Sequence, residues 1–342
     1  MSMVWEAGAK RSRRQPKLVR SRLGFAVKVL GQDRLKSNDS RRWQSNPHLR
    51  VSIDYLHAIF TYLEKSNLRM YRMSSDLAPY ATHPGLPQFH GQVRESRSEL
   101  AELGRRANQL GIRLSFHPSQ YIVMNTPDQR LRCQSMQDLT IQAEILDQMN
   151  LGPEAVVVIH VGGSYDDKSA AMSRWVACYR DLPEPARRRL VLENDDLRFS
   201  AADVLSIHER TGVPLVFDMQ HHQCLNPEHL PWRPTLERFL RSWPEGVTPK
   251  VHYSSPRTQM REIIRANRKT GKKERVLQPP VWTAHADYVH PFDFIRFAQE
   301  TEGLEFDIML EAKAKNLALQ RLLHDIGCYA PELQERFSSV PG

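Results

Sequence analysis

Cysteine is scarce in this chain. Cys133, Cys178, Cys224 and Cys328 are scattered over 342 residues, with no CxxC pair among them. That spacing excludes a disulfide framework and a thiolate zinc site, and it fits a reducing, intracellular setting. Long apolar runs are missing too. No stretch approaches the roughly 18–20 residues needed to span a bilayer, and the basic N-terminus lacks the apolar segment of a signal peptide. No glycine-rich phosphate loop follows the first expected strand, and Gly162-Gly163 is too little to make one, so no nucleotide cofactor is expected. Acidic residues are absent from residues 10–22, which hold seven Lys and Arg.

The cations are therefore local. The formal net charge is +9. Residues 257–275 carry eight Lys and Arg against Glu262 and Glu274. Clusters of this kind suit a polyanion such as nucleic acid, although a solvated tail and loop would carry the same charge. With 40% hydrophobic residues, the chain has the means to bury a large core.

Residues 1–21 read as a basic disordered arm. From there, apolar runs alternate with helical stripes. Strands are expected at 23–30, 68–73, 112–116, 155–159, 190–192, 213–217, 249–252 and 305–310. Helices are expected near 51–65, 92–110, 130–149, 168–180, from Ser200 as N-cap, 234–242, 292–302 and 313–324. Eight strands, each followed by a helix, predict a (β/α)8 TIM barrel over 22–326, with a long basic insertion at 254–284 and a tail at 327–342. An open doubly wound sheet is the alternative, and it usually needs fewer strands.

What stands at each strand end is the informative part. The third, fourth and fifth strands end in His117, His160 and Glu193. The sixth ends in Asp218 with His221 and His222 behind it, the seventh in His252 and the eighth in Glu311, and His285 lies between the last two. Successive spacings of 43, 33, 25 and 34 residues from His117 to His252 are lengths of whole strand–helix units. In a closed barrel these carboxyl ends form one rim, where the active sites of such barrels lie. Imidazoles and carboxylates converging there suit Zn, Mn or Fe. Metals a few ångströms apart suit phosphate chemistry, and the basic segments would hold the rest of a polyanion.

The motifs His117-Pro-Ser-Gln-Tyr121, Ile159-His-Val-Gly-Gly163, Leu192-Glu-Asn-Asp195, Val216-Phe-Asp-Met-Gln-His-His222, Pro249-Lys-Val-His252, His285-Ala-Asp287 and Leu310-Glu-Ala-Lys313 resemble, in order, those of the UV damage endonuclease family. Tyr71-Arg-Met-Ser-Ser75 and Thr82-His83-Pro84 are similar to its N-terminal motifs. The resemblance implies a TIM barrel related to apurinic endonucleases, with a cluster of up to about three divalent ions, typically manganese. It implies a monomeric enzyme that acts on damaged double-stranded DNA. Incision would fall immediately 5′ to a pyrimidine dimer or related lesion and leave a 3′-hydroxyl and a 5′-phosphate. By the same resemblance Glu193 bridges two ions, His117 and His160 complete one site, Asp218, His252 and Glu311 the second, and His221 and His285 hold the third. Lys250 matches a lysine that some relatives carry as a carbamate. Gln120 and Tyr121 match a pair that probes the duplex at the lesion. His83, Lys269, Lys272 and Lys273 are assigned to DNA contacts.

Two departures stand out. Residues 23–30 lack the Tyr and Asn often found near this point, and the insertion at 254–284 is longer and more basic than the family pattern leads one to expect. Competing readings are an abasic-site endonuclease on the same barrel, a metal-dependent sugar isomerase and a DNA-binding barrel with a vestigial site.

Overall fold

The computed structural model describes residues 20–267 and 270–337. Most of the basic arm, Lys269 and the last five residues lie outside them.

Among the described residues, twelve strands occur in chain order: β1 (Leu23–Ala26), β2 (Met70–Arg72), β3 (Arg113–Phe116), β4 (Val156–His160), β5 (Leu190–Glu193), β6 (Leu215–Asp218), β7 (Lys250–Tyr253), β8 (Pro256–Arg257), β9 (Arg261–Ala266), β10 (Lys273–Gln278), β11 (Val281–His285) and β12 (Asp307–Leu310). The first seven and β12 close into a parallel barrel in the order β1-β12-β7-β6-β5-β4-β3-β2. Twelve α-helices accompany them: α1 (Leu49–Lys65), α2 (Gln92–Glu95), α3 (Arg97–Gln109), α4 (Gln129–Gln148), α5 (Lys168–Asp181), α6 (Glu184–Arg189), α7 (Ala201–Thr211), α8 (Met219–Cys224), α9 (Trp232–Arg241), α10 (Pro291–Glu300), α11 (Lys315–Tyr329) and α12 (Gln334–Phe337). The expected N-cap at Ser200 is present, as a capping box with Asp203.

Strand alternation divides the barrel into two cores. Val157, Ile159, Leu190, Leu192, Leu215, Phe217, Val251, Ile308 and Leu310 belong to the large cluster built with the helices. The residues between them face the lumen, since side chains alternate along a strand. Val156, Val158, Val191 and Val216 pack there with Trp243, whose indole N–H donates to the Leu215 carbonyl at 2.7 Å. At the same depth the Arg113 guanidinium lies over the Trp243 ring and bonds Asp307 at 2.8 Å. Two residues further along each strand, the lumen-facing position becomes His160, Glu193, Asp218, His252 or Glu311. Register then sets them side by side: His160 pairs Glu193, and Asp218 pairs His252.

The structure revises three sequence-based boundaries. The first strand stops at Ala26 rather than reaching residue 30, because Val27 takes a left-handed backbone (φ 64°). A β-branched residue pays heavily for that conformation. The compensation is local: Val27 N–H donates to the Arg72 carbonyl, and the buried Tyr71 hydroxyl donates to Val27 O at 2.5 Å. Second, the 254–284 insertion is not a plain loop. β8 pairs β11 and β9 pairs β10, both antiparallel. Third, packed structure continues past 326. The apolar stripe Leu319, Leu322, Ile326 and Ala330 carries α11 to Tyr329, and Arg336 and Phe337 are buried against the body. The Arg336 carbonyl accepts from Ser21 N–H at 2.8 Å, which ties the two ends of the barrel together.

Candidate metal centre and catalytic cleft

Glu193 ends β5 at the centre of the rim, fully buried. Its Oε2 lies 3.0 Å from His117 Nε2 and 3.7 Å from His160 Nε2. Its Oε1 lies 2.8 Å from His252 Nδ1 and 3.5 Å from His221 Nδ1. Asp218 sits one strand away, with Oδ1 3.9 Å from His221 Nδ1. Glu311, just past β12, lies 3.3 Å from His252 Nδ1 and 3.7 Å from His285 Nδ1. The six ligand-type residues expected at strand ends are thus brought together, with His221 and His285 beside them. Three subsets have donor atoms mutually within 4.8 Å: His117 with His160 and Glu193; His117 with His252 and Glu311; and Glu193 with Asp218, His252 and Glu311.

The donor set fits divalent cations. Asp218 Oδ2, His160 Nδ1 and His252 Nε2 are buried without a hydrogen-bond partner. Such atoms are rare because leaving them unpaired costs free energy. A cation beside Glu193 would satisfy Asp218 Oδ2, whereas on the two rings the nitrogens that face Glu193 are His160 Nε2 and His252 Nδ1; mixed carboxylate–imidazole ligation is ordinary for Zn, Mn and Fe.

Electrostatics point the same way. Burial pushes Glu193 well above the usual carboxylate range, and neighbouring Glu311 pushes it further. Burial also acts against Glu311, but Arg72 and the histidines His252, His285 and His117 outweigh it and hold Glu311 well below that range. Burial lowers His117 to about 4 and His160 to about 3. It holds His252 well below the usual histidine value. These rings are therefore neutral and carry free lone pairs, as ligation requires. His221 is the exception: burial opposes its charge, yet Asp218, Glu193 and Glu311 raise it to about 10.

Two supporting residues escaped the sequence reading. Arg72 ends β2 and forms an ion pair with Glu311; a charged residue closing a strand was the signal that could have found it. The Asn194 side chain accepts from Asp218 N–H at 2.9 Å and donates to Asp218 O at 3.1 Å, and the Asn194 carbonyl lies 3.0 Å from His221 Nδ1. Asp218 itself accepts from His221 N–H, capping α8 and turning His221 into the site. The second histidine of that pair points away, with His222 Nε2 3.1 Å from the Leu230 carbonyl and its ring against Phe217.

Lys250 is wholly buried beneath His252, with Nζ lacking a hydrogen-bond partner. Burial, then the cations Arg113 and Arg72, hold its amine well below the usual lysine value. Above the cluster opens a cavity of about 750 Å³. Gln120 and Tyr121 line it, and Tyr121 is 79% exposed. Arg198, Tyr165 and Asp195, also unforeseen, line it too. His83 is not brought to this cleft: it is exposed in the loop after β2, where its Nδ1 accepts from Gly85 N–H.

The fold and the donor set define a TIM barrel with a candidate polynuclear metal centre at its C-terminal rim. The chain belongs to the UV-endonuclease UvdE family, whose sequence model matches residues 49–336. It is 32% identical over 271 residues to the UV DNA damage endonuclease of Bacillus velezensis, covering 78% of this chain and 77% of that protein. The Bacillus pumilus UV DNA damage endonuclease is 31% identical over 261 residues, covering 76% and 75%. The crystal structure of SacUVDE matches with a TM-score of 0.74 at 29% identity, over 90% of this chain and 98% of that one. An Escherichia coli 3-keto-D-glucoside 4-epimerase shares the fold alone, at a TM-score of 0.53 and 10% identity. The chain is therefore a UV-damage repair endonuclease with DNA as its substrate. Among the described residues, no helix is long and apolar enough to cross a membrane.

Proposed function

We propose that this enzyme, as a monomer inside the cell, cuts the damaged strand of duplex DNA immediately 5′ to a UV photoproduct by metal-dependent hydrolysis, leaving a 3′-hydroxyl and a 5′-phosphate. The observation that carries this reading is one buried carboxylate, Glu193, in contact with His117, His160, His221 and His252 at the floor of an open cleft. Glu193 would bridge two ions, with His117 and His160 completing one site and Asp218, His252 and Glu311 the other. His221 and His285 would hold a third. Manganese suits this mixture of hard oxygen and imidazole nitrogen. The ions would supply charge stabilisation for the attacking and leaving oxygens of the phosphodiester.

The chain's own residues do the rest. Asn194 and the α8 cap fix Asp218 and His221 before substrate arrives. Arg72 holds Glu311 ionised and turned into the cluster. Lys250, a buried amine without a hydrogen-bond partner and held well below the usual lysine value by burial, would carry a carbamate facing the site. Gln120 and Tyr121 would fill the gap left when a lesion leaves the stack, where unstacking costs least. Lys272 and Lys273 would contact phosphates and position the duplex without reading bases. The test is a duplex with one cyclobutane dimer, end-labelled on the damaged strand and incubated with Mn²⁺. A single cut at the phosphate 5′ to the dimer, with a product end that a polymerase extends, is expected. Cutting 3′ to the lesion, or cutting only abasic sites, would overturn the reading.

A further inference from the structure

The ribbon formed by β9 and β10 stands outside the barrel and is not explained by the metal centre. Its stem grows from the catalytic rim. β8 follows directly on β7, and β11 returns beside β8 to end at His285, with Thr283 and His285 both lining the cleft. Gln220, on α8, donates to the Trp282 carbonyl at 2.8 Å, and Arg261 bonds Asp287 at 2.8 Å, so the stem is pinned.

Register divides the ribbon into two faces. Pairing of Arg275 with Ile264 and Leu277 with Glu262 places these four side chains on one face, together with Ala266 and Lys273. All six are exposed, whereas Arg261, Ile263, Val276 and Gln278 on the other face are half-buried. Ile264 is 71% exposed and Leu277 59%, as diagonal neighbours on the open face. The two form a small aliphatic ridge at the centre of the open face. Lys273 stands on that same face, Lys272 just before β10 and Arg265 on the other face; all three are exposed and form no ion pair among the described residues, while Arg275 pairs with Glu262.

We propose that this ribbon lies in a groove of the substrate duplex beyond the lesion, its free cations on the phosphates and the Ile264–Leu277 ridge against the groove floor. A two-stranded ribbon fits the major groove. The occupant follows from charge complementarity: a ribbon with unpaired cations at its tip and on both faces, and an aliphatic ridge on one, suits a polyanion with apolar sugar and base edges. Six residues per strand give a reach of roughly 20 Å, about six base pairs. The proposal rests on DNA being the substrate and adds a contact remote from the cut.

The experiment measures wild type, Arg265→Ser/Lys272→Ser/Lys273→Ser and Ile264→Ser/Leu277→Ser on dimer-containing duplexes whose flanks are lengthened separately on each side. Wild type should gain affinity once one flank, and only one, passes a threshold length. The triple variant should lose that gain, and its log–log salt slope should fall by about 2 to 3, since each phosphate contact contributes about 0.9. The aliphatic variant should lose the gain while keeping the wild-type slope. Equal losses on short and long duplexes, or flank dependence unchanged in both variants, would overturn the proposal. The unchanged case would include a variant altered only in its oligomeric state, which would assign the ridge to a second copy instead. Failure of the DNA-repair reading itself would look different, because wild type would then not incise the shortest damaged duplex.

Discussion

His252 Nδ1 lies 2.8 Å from Glu193 Oε1, and both side chains are completely shielded from water. A carboxylate with a raised pKa beside an imidazole with a lowered one is a poor ion pair. The pair makes physical sense as two ligands facing one cation, which would favour the ionised carboxylate and the neutral ring together.

Removing that carboxylate should therefore be costly for chemistry and mild for the fold. Glu193→Ala deprives two ion sites at once, and incision should fall at least about a thousandfold, roughly the several kcal/mol such ions supply. Circular dichroism should match wild type, because the barrel packs through Val158, Val191 and Val216 below the site and through the outer cluster around it. Wild-type turnover by the folded variant at saturating Mn²⁺ would exclude the bridging role.

His221 gives a pH prediction. Its pKa is raised to about 10 from the ordinary 6.5. A raised value stabilises the metal-free fold fully below about 6.5, and that contribution is lost as pH rises towards 10. A metal taken up by this ring must displace its proton, so apparent affinity should rise with pH across the same window. Calorimetry at pH 7.5 in buffers of different ionisation enthalpy should show proton release on binding. Identical heats in every buffer would contradict the assignment.

Much of this site was legible because most of the ligands recur with the period of the fold: His117, His160, Glu193, Asp218, His252 and Glu311 stand at or just past barrel-strand ends, and a closed barrel collects those ends. Other features were hidden for identifiable reasons. Val27 reads as strand and turns left-handed only because Arg72 and Tyr71 meet it in space. The ribbon's alternation was masked by charges on both of its faces. Arg72 carried a positional signal, but its partner Glu311 lies 239 residues away. His222 and His221 are indistinguishable in sequence, and the cap at Asp218 decides which one faces inward.

The cleft mouth supplies a prediction about discrimination. Gln120→Ala/Tyr121→Ala leaves every proposed ligand in place, so metal content should not change. Preference for damaged over undamaged duplex should drop by about 1 to 3 kcal/mol, the scale of one base–aromatic stack. Binding of matched duplexes at one salt concentration measures it, and an unchanged ratio would remove the pair from lesion recognition.

Stability offers an independent check on the packing. A Cβ at Gly104, in α3, would sit 1.8 Å from the Met149 carbonyl oxygen, a backbone atom that cannot rotate away. Gly104→Ala should destabilise by about 1–3 kcal/mol through overpacking, despite the gain of nearly 1 kcal/mol that alanine brings to a helix. Urea unfolding would show it as a lower midpoint at an unchanged slope, and a stabilised variant would refute this packing.

The proposed activity depends on a metal cluster bridged by Glu193. Its most direct test strips the protein of divalent ions, restores Mn²⁺ in steps, and follows bound metal and incision of UV-irradiated duplex together, for wild type and Glu193→Ala. The predicted result is no incision without metal, recovery that tracks the binding of more than one ion per chain, and a variant that binds fewer ions and stays inactive. Full incision by stripped wild type in excess chelator, or a variant matching wild type in both ion count and rate, would contradict it.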